Sequence, residues 1–222
     1  FSAANSAIFC VTDEAELRAA LGTLGSTFSS ENNELRLTRG VFFTGTQAFG
    51  TLLSGPSGHL AVSGGWADAG GVPTACDVQQ TDARLTVMDA QGTSAVLSLQ
   101  RNSINGNATP LIAVSNLTLR NGSAESAPVG LYIYNAFGSI EVDNVIAHGH
   151  RATASLYIGG VAMTLDSTTR DIRLRNSLIY DNQGVTIFSP QPLASVVFTS
   201  LSLNPNRNWY ATHNTFFAGP NS

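Results

Sequence analysis

The tightest grouping of chemically active side chains is His148-Gly149-His150-Arg151. Two histidines one residue apart project from the same side of an extended strand. Imidazoles so placed suit general acid–base transfer or transition-metal binding, because they titrate near neutral pH. The competing reading is a surface turn. Four carboxylates, Asp143, Asp166, Asp171 and Asp181, and three more arginines, Arg170, Arg173 and Arg175, lie in the surrounding chain. Asp171, Arg173 and Arg175 alternate with Ile172 and Leu174, so these charges share the solvent face of one strand. That pattern reads first as a solvated charged ladder. As chemistry, it makes Asp143, His148, His150 and Arg173 the catalytic candidates. Tyr132 and Tyr134 share a strand face, and Tyr157 occupies a comparable segment further on. Facing outward, the three tyrosines are carbohydrate-binding candidates that stack on sugar rings; facing inward, they are core. No spacing calls for a resident metal or cofactor.

The elements that position these groups are short strands. Period-two alternation marks 34–40, 59–63, 84–89, 95–99, 111–114, 117–120, 131–134, 140–142, 172–174, 185–188 and 196–198, each bounded by Gly, Asn, Asp, Ser or Pro. The one convincing helix lies at 10–25. Thr12 or Asp13 caps it, acidic residues suit its N-terminal dipole, Leu17, Ala20, Leu21 and Leu24 share a face, and Gly22 and Gly25 end it. Helices do not alternate with the strands, which removes the α/β folds. A loose repeat then decides the class: an alternating strand runs into an Asn and a second short strand follows, at Asn116, Asn144, Asn176 and Asn214. The last carries an extra residue before it. Asn tolerates the left-handed conformation a sharp corner needs, and stacked amides can bond one another along an axis. A second alignment joins 130–133, 155–158 and 184–187. The fold expected is all-β, a parallel β-helix with an Asn ladder, in one domain spanning 1–222: helical cap 10–25, regular coils 33–190, less regular coils 191–222. A β-sandwich is the competing fold, with Asn105-Gly106 and Asn121-Gly122 as its candidate hairpin turns.

Composition narrows the partners. The chain has 222 residues, 43% hydrophobic and only 12% charged, with a net charge of −4 and no lysine. No basic stripe is present to neutralise phosphates, so nucleic acid is not an expected partner. No apolar run approaches the ~18 residues a spanning helix needs. Phe1 in place of an initiator Met is expected to follow removal of an export signal. Cys10 and Cys76 are then expected to pair in an oxidising, extracellular or cell-surface setting.

The stretches Cys10–Leu21, Leu60-Ala61-Val62-Ser63-Gly64-Gly65-Trp66 and Thr86–Gly92 resemble the N-terminal cap and first coils of exported bacterial right-handed β-helix proteins, related in architecture to pectate lyases. Ala90-Gln91-Gly92 departs from the hydrophobic-Asp-Gly-x-Gly turn usual there. The resemblance implies a secreted right-handed solenoid. The function expected is binding, adhesive or structural, with polysaccharide as the ligand. The alternative it implies is a polysaccharide lyase or glycoside hydrolase, with Ca²⁺ needed only in the lyase case. The Gly149-His150 step is similar to the Gly-His motif of polygalacturonase-like hydrolases, whose paired-Asp and Arg-x-Lys motifs are missing. Self-association or further domains are expected at the C-terminal end, where strand edges invite pairing.

Overall fold

Strand alternation sends every second side chain inward, and the strands stack so that inward positions align from coil to coil. Leu35, Val62, Val114, Val142 and Leu174 form one such column, all buried. Leu97, Leu131 and Met163 form a second, and Leu99, Ile133 and Leu165 a third. Each such side chain contributes about 1.5–3 kcal/mol by leaving water. The structure, a computed structural model, describes residues 6–26, 32–53, 58–102, 110–124, 129–152, 162–167, 170–186, 189–191, 196–199 and 208–217. They build an all-β parallel solenoid with a single helix among the described residues.

Three sheets wall it. The longest runs in the order Ser6–Val11, Asn32–Thr38, Leu60–Ala67, Leu111–Arg120, Ser139–His148, Ile172–Arg175 and Trp209–Thr212. Thr86–Asp89 pairs with the second half of Leu111–Arg120. The second half of Ser139–His148 pairs with Leu178–Tyr180, which in turn pairs with Thr215–Phe217. A second sheet stacks Phe49–Leu52, Leu97–Arg101, Leu131–Asn135, Met163–Asp166 and Val196–Thr199. A small third sheet holds Ser123–Ala124, Arg151–Ala152 and Gln183–Thr186, with Ser189–Gln191 added antiparallel. The register corrects the second sequence alignment. Tyr132 meets Thr164 of the next coil, so Met163–Asp166 continues the column; residues 155–158 lie outside the described residues.

The coils bend at two files of left-handed residues. Asn116, Asn144, Asn176 and His213 have φ of 56°, 53°, 51° and 54°; Gln91, Asn121, Gly149 and Asp181 have 53°, 54°, 68° and 50°. The fourth rung of the first file is therefore His213, not Asn214, because the extra residue before Asn214 takes the bend. Asn121-Gly122, a hairpin candidate in the sandwich reading, is a bend within a parallel coil. The amides of the first file also differ from the expected interior ladder. Asn144 Nδ2 donates to Asn116 Oδ1 at 2.9 Å and also to the Thr81 carbonyl, but Asn176 Nδ2 donates to Asp143 Oδ1 at 2.7 Å. Asn116 and Asn144 are half-buried and Asn176 is exposed. A left-handed residue interrupts the alternation, so its own side chain stays outside. The next residue (Leu117, Val145 or Ser177) turns in and is buried.

The helix spans Glu14–Ser26 and buries Leu17, Ala20, Leu21 and Leu24 in the core. Asp13 caps it: its Oδ1 accepts the Glu16 N–H at 2.8 Å, while the Glu16 carboxylate accepts from Thr12 N–H and Oγ1 at 2.7 and 2.8 Å. It runs through Gly22, which was expected to end it. A mid-helix glycine costs about 1 kcal/mol, less than the burial of Leu21 and Leu24 returns. Arg18 lies 4.7 Å over the Phe49 ring and donates to the carbonyls of Thr44, Gln47 and Ala48. Cys10 and Cys76 form a disulfide with Cα atoms 5.6 Å apart. No helix among the described residues is long and apolar enough to cross a membrane.

Candidate functional site

The second file of bends shapes a surface trough of about 550 Å³ lined by Gln91, Gly92, Asn121, Gly122, Ser123, Gly149, Arg151 and Asp181. Parallel register repeats the bend coil after coil, so one outward position recurs along the stack with changing chemistry: amide, amide, bare backbone, carboxylate. Glycine suits position 149 on two counts. Its φ is +68°, and an added Cβ would lie 2.8 Å from Asn121 Oδ1. Ser123 and Arg151 of the lining are register partners, and Arg151 pairs onward with Gln183. Arg151 is exposed and makes no salt bridge among the described residues.

Asp89 anchors one rim. Its Oδ1 accepts the Gln91 N–H at 2.8 Å and Asn121 Nδ2 at 3.0 Å, and its Oδ2 pairs with Arg120 Nε at 2.7 Å. Burial pushes the Asp89 carboxyl up, but these hydrogen bonds outweigh it and hold it below the usual carboxylate range. The same outward column continues through His148 and Tyr180, whose rings stack 4.8 Å apart and 4° from parallel. Burial lowers the His148 pKa and Arg120 adds to this, while Asp181 and Asp89 oppose.

His150 is placed differently from expectation. Gly149 bends the chain between the two histidines, so they do not share a face. His148 is half-exposed and His150 is fully buried. His150 Nδ1 accepts the Gly122 N–H at 3.0 Å, which puts its proton on Nε2. Glycines at 122 and 130 make its room, since a Cβ there would come within 2.9 and 2.6 Å of the ring. Burial first, then His148, lowers its pKa to about 3. The role is repeated around the solenoid. His150 N–H is accepted by Asn182 Oδ1 at 3.1 Å, Val145 N–H by Ser177 Oγ at 3.2 Å and Ser177 N–H by Asn214 Oδ1 at 2.9 Å. After each of these bends, an N–H that loses its ladder partner is caught by a polar side chain of the following coil. Asn214 belongs to this inner set.

The other candidates stay apart. Asp143 and Arg173 lie on the outer face of the first arm of their coils, His148 on the second arm and His150 inside. Asp143 is engaged by Arg175 at 3.3 Å and by Asn176; Arg175 also meets Glu141 at 2.9 Å, and Arg173 meets Asp171 at 3.4 Å. These charges form a cross-strand ladder over buried Ile172 and Leu174. Beside it lies a recess of about 190 Å³ bounded by Leu111, Ser139, Ile140, Glu141, Asp171 and Arg173. Tyr132 and Tyr134 face outward and are half-buried, with Ser98 and Gln100 in the preceding coil and Thr164 and Asp166 in the next. Burial raises the Tyr132 pKa, with Asp166 and Tyr134 adding to it. Tyr157 lies outside the described residues. Among the described residues no three of His, Cys, Asp and Glu converge as a cation site.

Sequence reasoning missed the trough because its floor is made by backbone conformation. The available signal was Gln91-Gly92, Asn121-Gly122 and Asp181-Asn182, residues that tolerate φ > 0, each just after a short strand. No protein-family model matches the chain, and neither a curated protein nor a solved structure does.

Proposed function

We propose that this chain is an exported, right-handed β-helix that binds a glycan along the trough at its second bend, with the N-terminal helix as its cap. The single observation that carries the reading is the trough itself. It is a 550 Å³ polar groove presenting amides, a hydroxyl, an exposed guanidinium and a carboxylate in register. Planar amides, Arg and Asp match the paired hydroxyls of a pyranose, and a groove along a repeating backbone suits a repeating polymer. The disulfide supports export, since such bonds persist in oxidising compartments. Binding is favoured over catalysis because Asp143, His148, His150 and Arg173 do not converge.

Calorimetry against neutral and uronic-acid oligosaccharides tests this. Arg151→Ala is expected to weaken binding about 10- to 100-fold, the loss of one charge-assisted hydrogen bond. Asp181→Asn should weaken it less. Absence of binding across the panel, or affinity indifferent to both changes, overturns the site. New reducing or unsaturated ends in the same mixtures would replace the binding reading with an enzymatic one.

A further inference from the structure

Among the described residues the long sheet runs as far as the rung Trp209–Thr212, the bend at His213, and Thr215–Phe217. It continues columns that are buried in every earlier coil. Ala211 follows Val114, Val142 and Leu174, and Phe216 follows Ala147 and Ile179. Here they are uncovered: Ala211 is exposed and Phe216 is 52% exposed, while on the outer face Phe217 is 63% and Tyr210 40% exposed. At 211 and 216 the backbone has no partner among the described residues either. Ile172 N–H bonds to the Asn208 carbonyl and Asn176 N–H to Thr212, so 208, 210 and 212 face the preceding coil, and 211 faces away. Thr215 N–H bonds to Ser177, so 216 likewise faces away.

The geometry points to a second copy of this chain as the occupant of that edge, paired rung to rung about a two-fold axis through the His213–Asn214 bend. A bent rung is self-complementary under such an axis. The arm running into the bend falls on the partner's arm running out, which makes the pairing antiparallel. Centring the axis between 213 and 214 sets Ala211 opposite Phe216 of the other copy and Tyr210 opposite Phe217. The match holds at three levels. Ala211 and Phe216 are the residues whose backbone groups point outward, as a hydrogen-bonded antiparallel pair requires. Both face the interior, small against large. Tyr210 and Phe217 both face outside, aromatic against aromatic. Trp209–Phe217 holds no Asp, Glu, Lys or Arg, so two copies approach without like-charge repulsion, and the edge carries no proline or lysine to deter pairing.

The test is mass measurement by light scattering across a concentration series, on the wild type and on two single variants. Ala211→Pro removes the outward N–H and spares the bonds to the preceding coil. Phe216→Lys puts a charge into the pairing. The wild type is expected to be a dimer that dissociates on dilution, and each variant a monomer with an unchanged circular dichroism spectrum. Hydrogen exchange gives an independent reading if a variant misfolds: wild-type amides 211 and 216 should gain protection with concentration. A wild type that stays monomeric, a dimer that survives both variants, or exchange at 211 and 216 that ignores concentration overturns the proposal. So does a dimer protected instead at residues 121–124.

Discussion

His150 shows how a residue that reads as chemistry becomes architecture. Its Nδ1 accepts the Gly122 N–H, a role open only to the neutral ring. The folded-state pKa is about 3, against an ordinary value of 6.5. Above pH 6.5 neither folded nor unfolded chain is protonated at this site, and its stabilisation is fully present. As the pH falls below 6.5 the unfolded chain takes up a proton that the folded chain refuses, and stability drops until about pH 3. The slope is about 1.4 kcal/mol per pH unit. His150→Asn keeps an acceptor, as Asn182 does one coil later, so urea titrations from pH 7.5 to 4 should show a flatter profile for this variant. His59 and His148, also lowered by burial, leave some slope behind. At pH 8, His150→Leu strands a buried N–H and should cost about 1–3 kcal/mol more than His150→Asn. Parallel pH profiles for wild type and His150→Asn would remove the account. Residue type alone did not disclose this role, since a histidine that catches a backbone N–H and one that shuttles protons look alike in sequence.

At the scale of elements, the strands were legible wherever alternation had room to run. Leu131–Asn135 and Ile172–Arg175 follow the period-two pattern almost to the residue. Ser6–Val11 and Gly40–Phe43 escaped because their apolar residues run together and the period carries no contrast, and Phe49–Leu52 because four residues reading Phe-Gly-Thr-Leu do not alternate. Asn marked the bends correctly at 116, 144 and 176 because left-handed φ is a local property. Where each amide then bonds depends on the neighbouring coil, and this was not legible. The Gly149 bend follows the same logic and gives a direct test. Gly149→Ala meets both a +68° φ and the Asn121 side chain. It should destabilise by more than the about 1–2 kcal/mol that an alanine in the left-handed region costs by itself. Gly92→Ala, at φ +74° with open space around its Cβ, should cost only the backbone part. Equal denaturation midpoints for the two variants would show that Asn121 is not held against Gly149. The disulfide is the other element-level staple. It links positions 66 apart in sequence. In the chain-entropy account its loss stabilises the unfolded chain by about 4 kcal/mol, so Cys10→Ser with Cys76→Ser should lower the midpoint of unfolding without changing the far-ultraviolet spectrum.

At the scale of the whole molecule, the described strands stack so that each coil pairs with its neighbours, while the Cys10–Cys76 bridge and the Asn144–Thr81 bond reach a coil further, so stability is close to a sum of nearest-neighbour terms and need not be uniform. The two coils through Leu111–Arg120 and Ser139–His148 are sandwiched on both sides, pair along nine register positions and keep Val114, Leu117, Val142 and Val145 wholly buried. The rung at Trp209–Phe217 has one neighbour among the described residues and an exposed interior. Native-state hydrogen exchange, in solutions dilute enough to keep the chain monomeric, is therefore expected to be graded. Amides of 112–119 and 140–147 should open only with global unfolding, and those of 209–217 through a lower-energy local opening. Removing core volume should divide the same way. Val142→Ala, with intact coils above and below, should cost about 1–3 kcal/mol and speed exchange in both neighbours. Phe216→Ala removes a side chain that is already 52% exposed and should leave exchange at 112–119 unchanged. If every strand exchanged with one common free energy, the stack would be a single cooperative block, and the trough would then be as rigid at its 181 end as at its 91 end. Graded exchange instead leaves the Asp181 end of the trough nearer the opening edge, where a ligand bound across four coils would raise protection most.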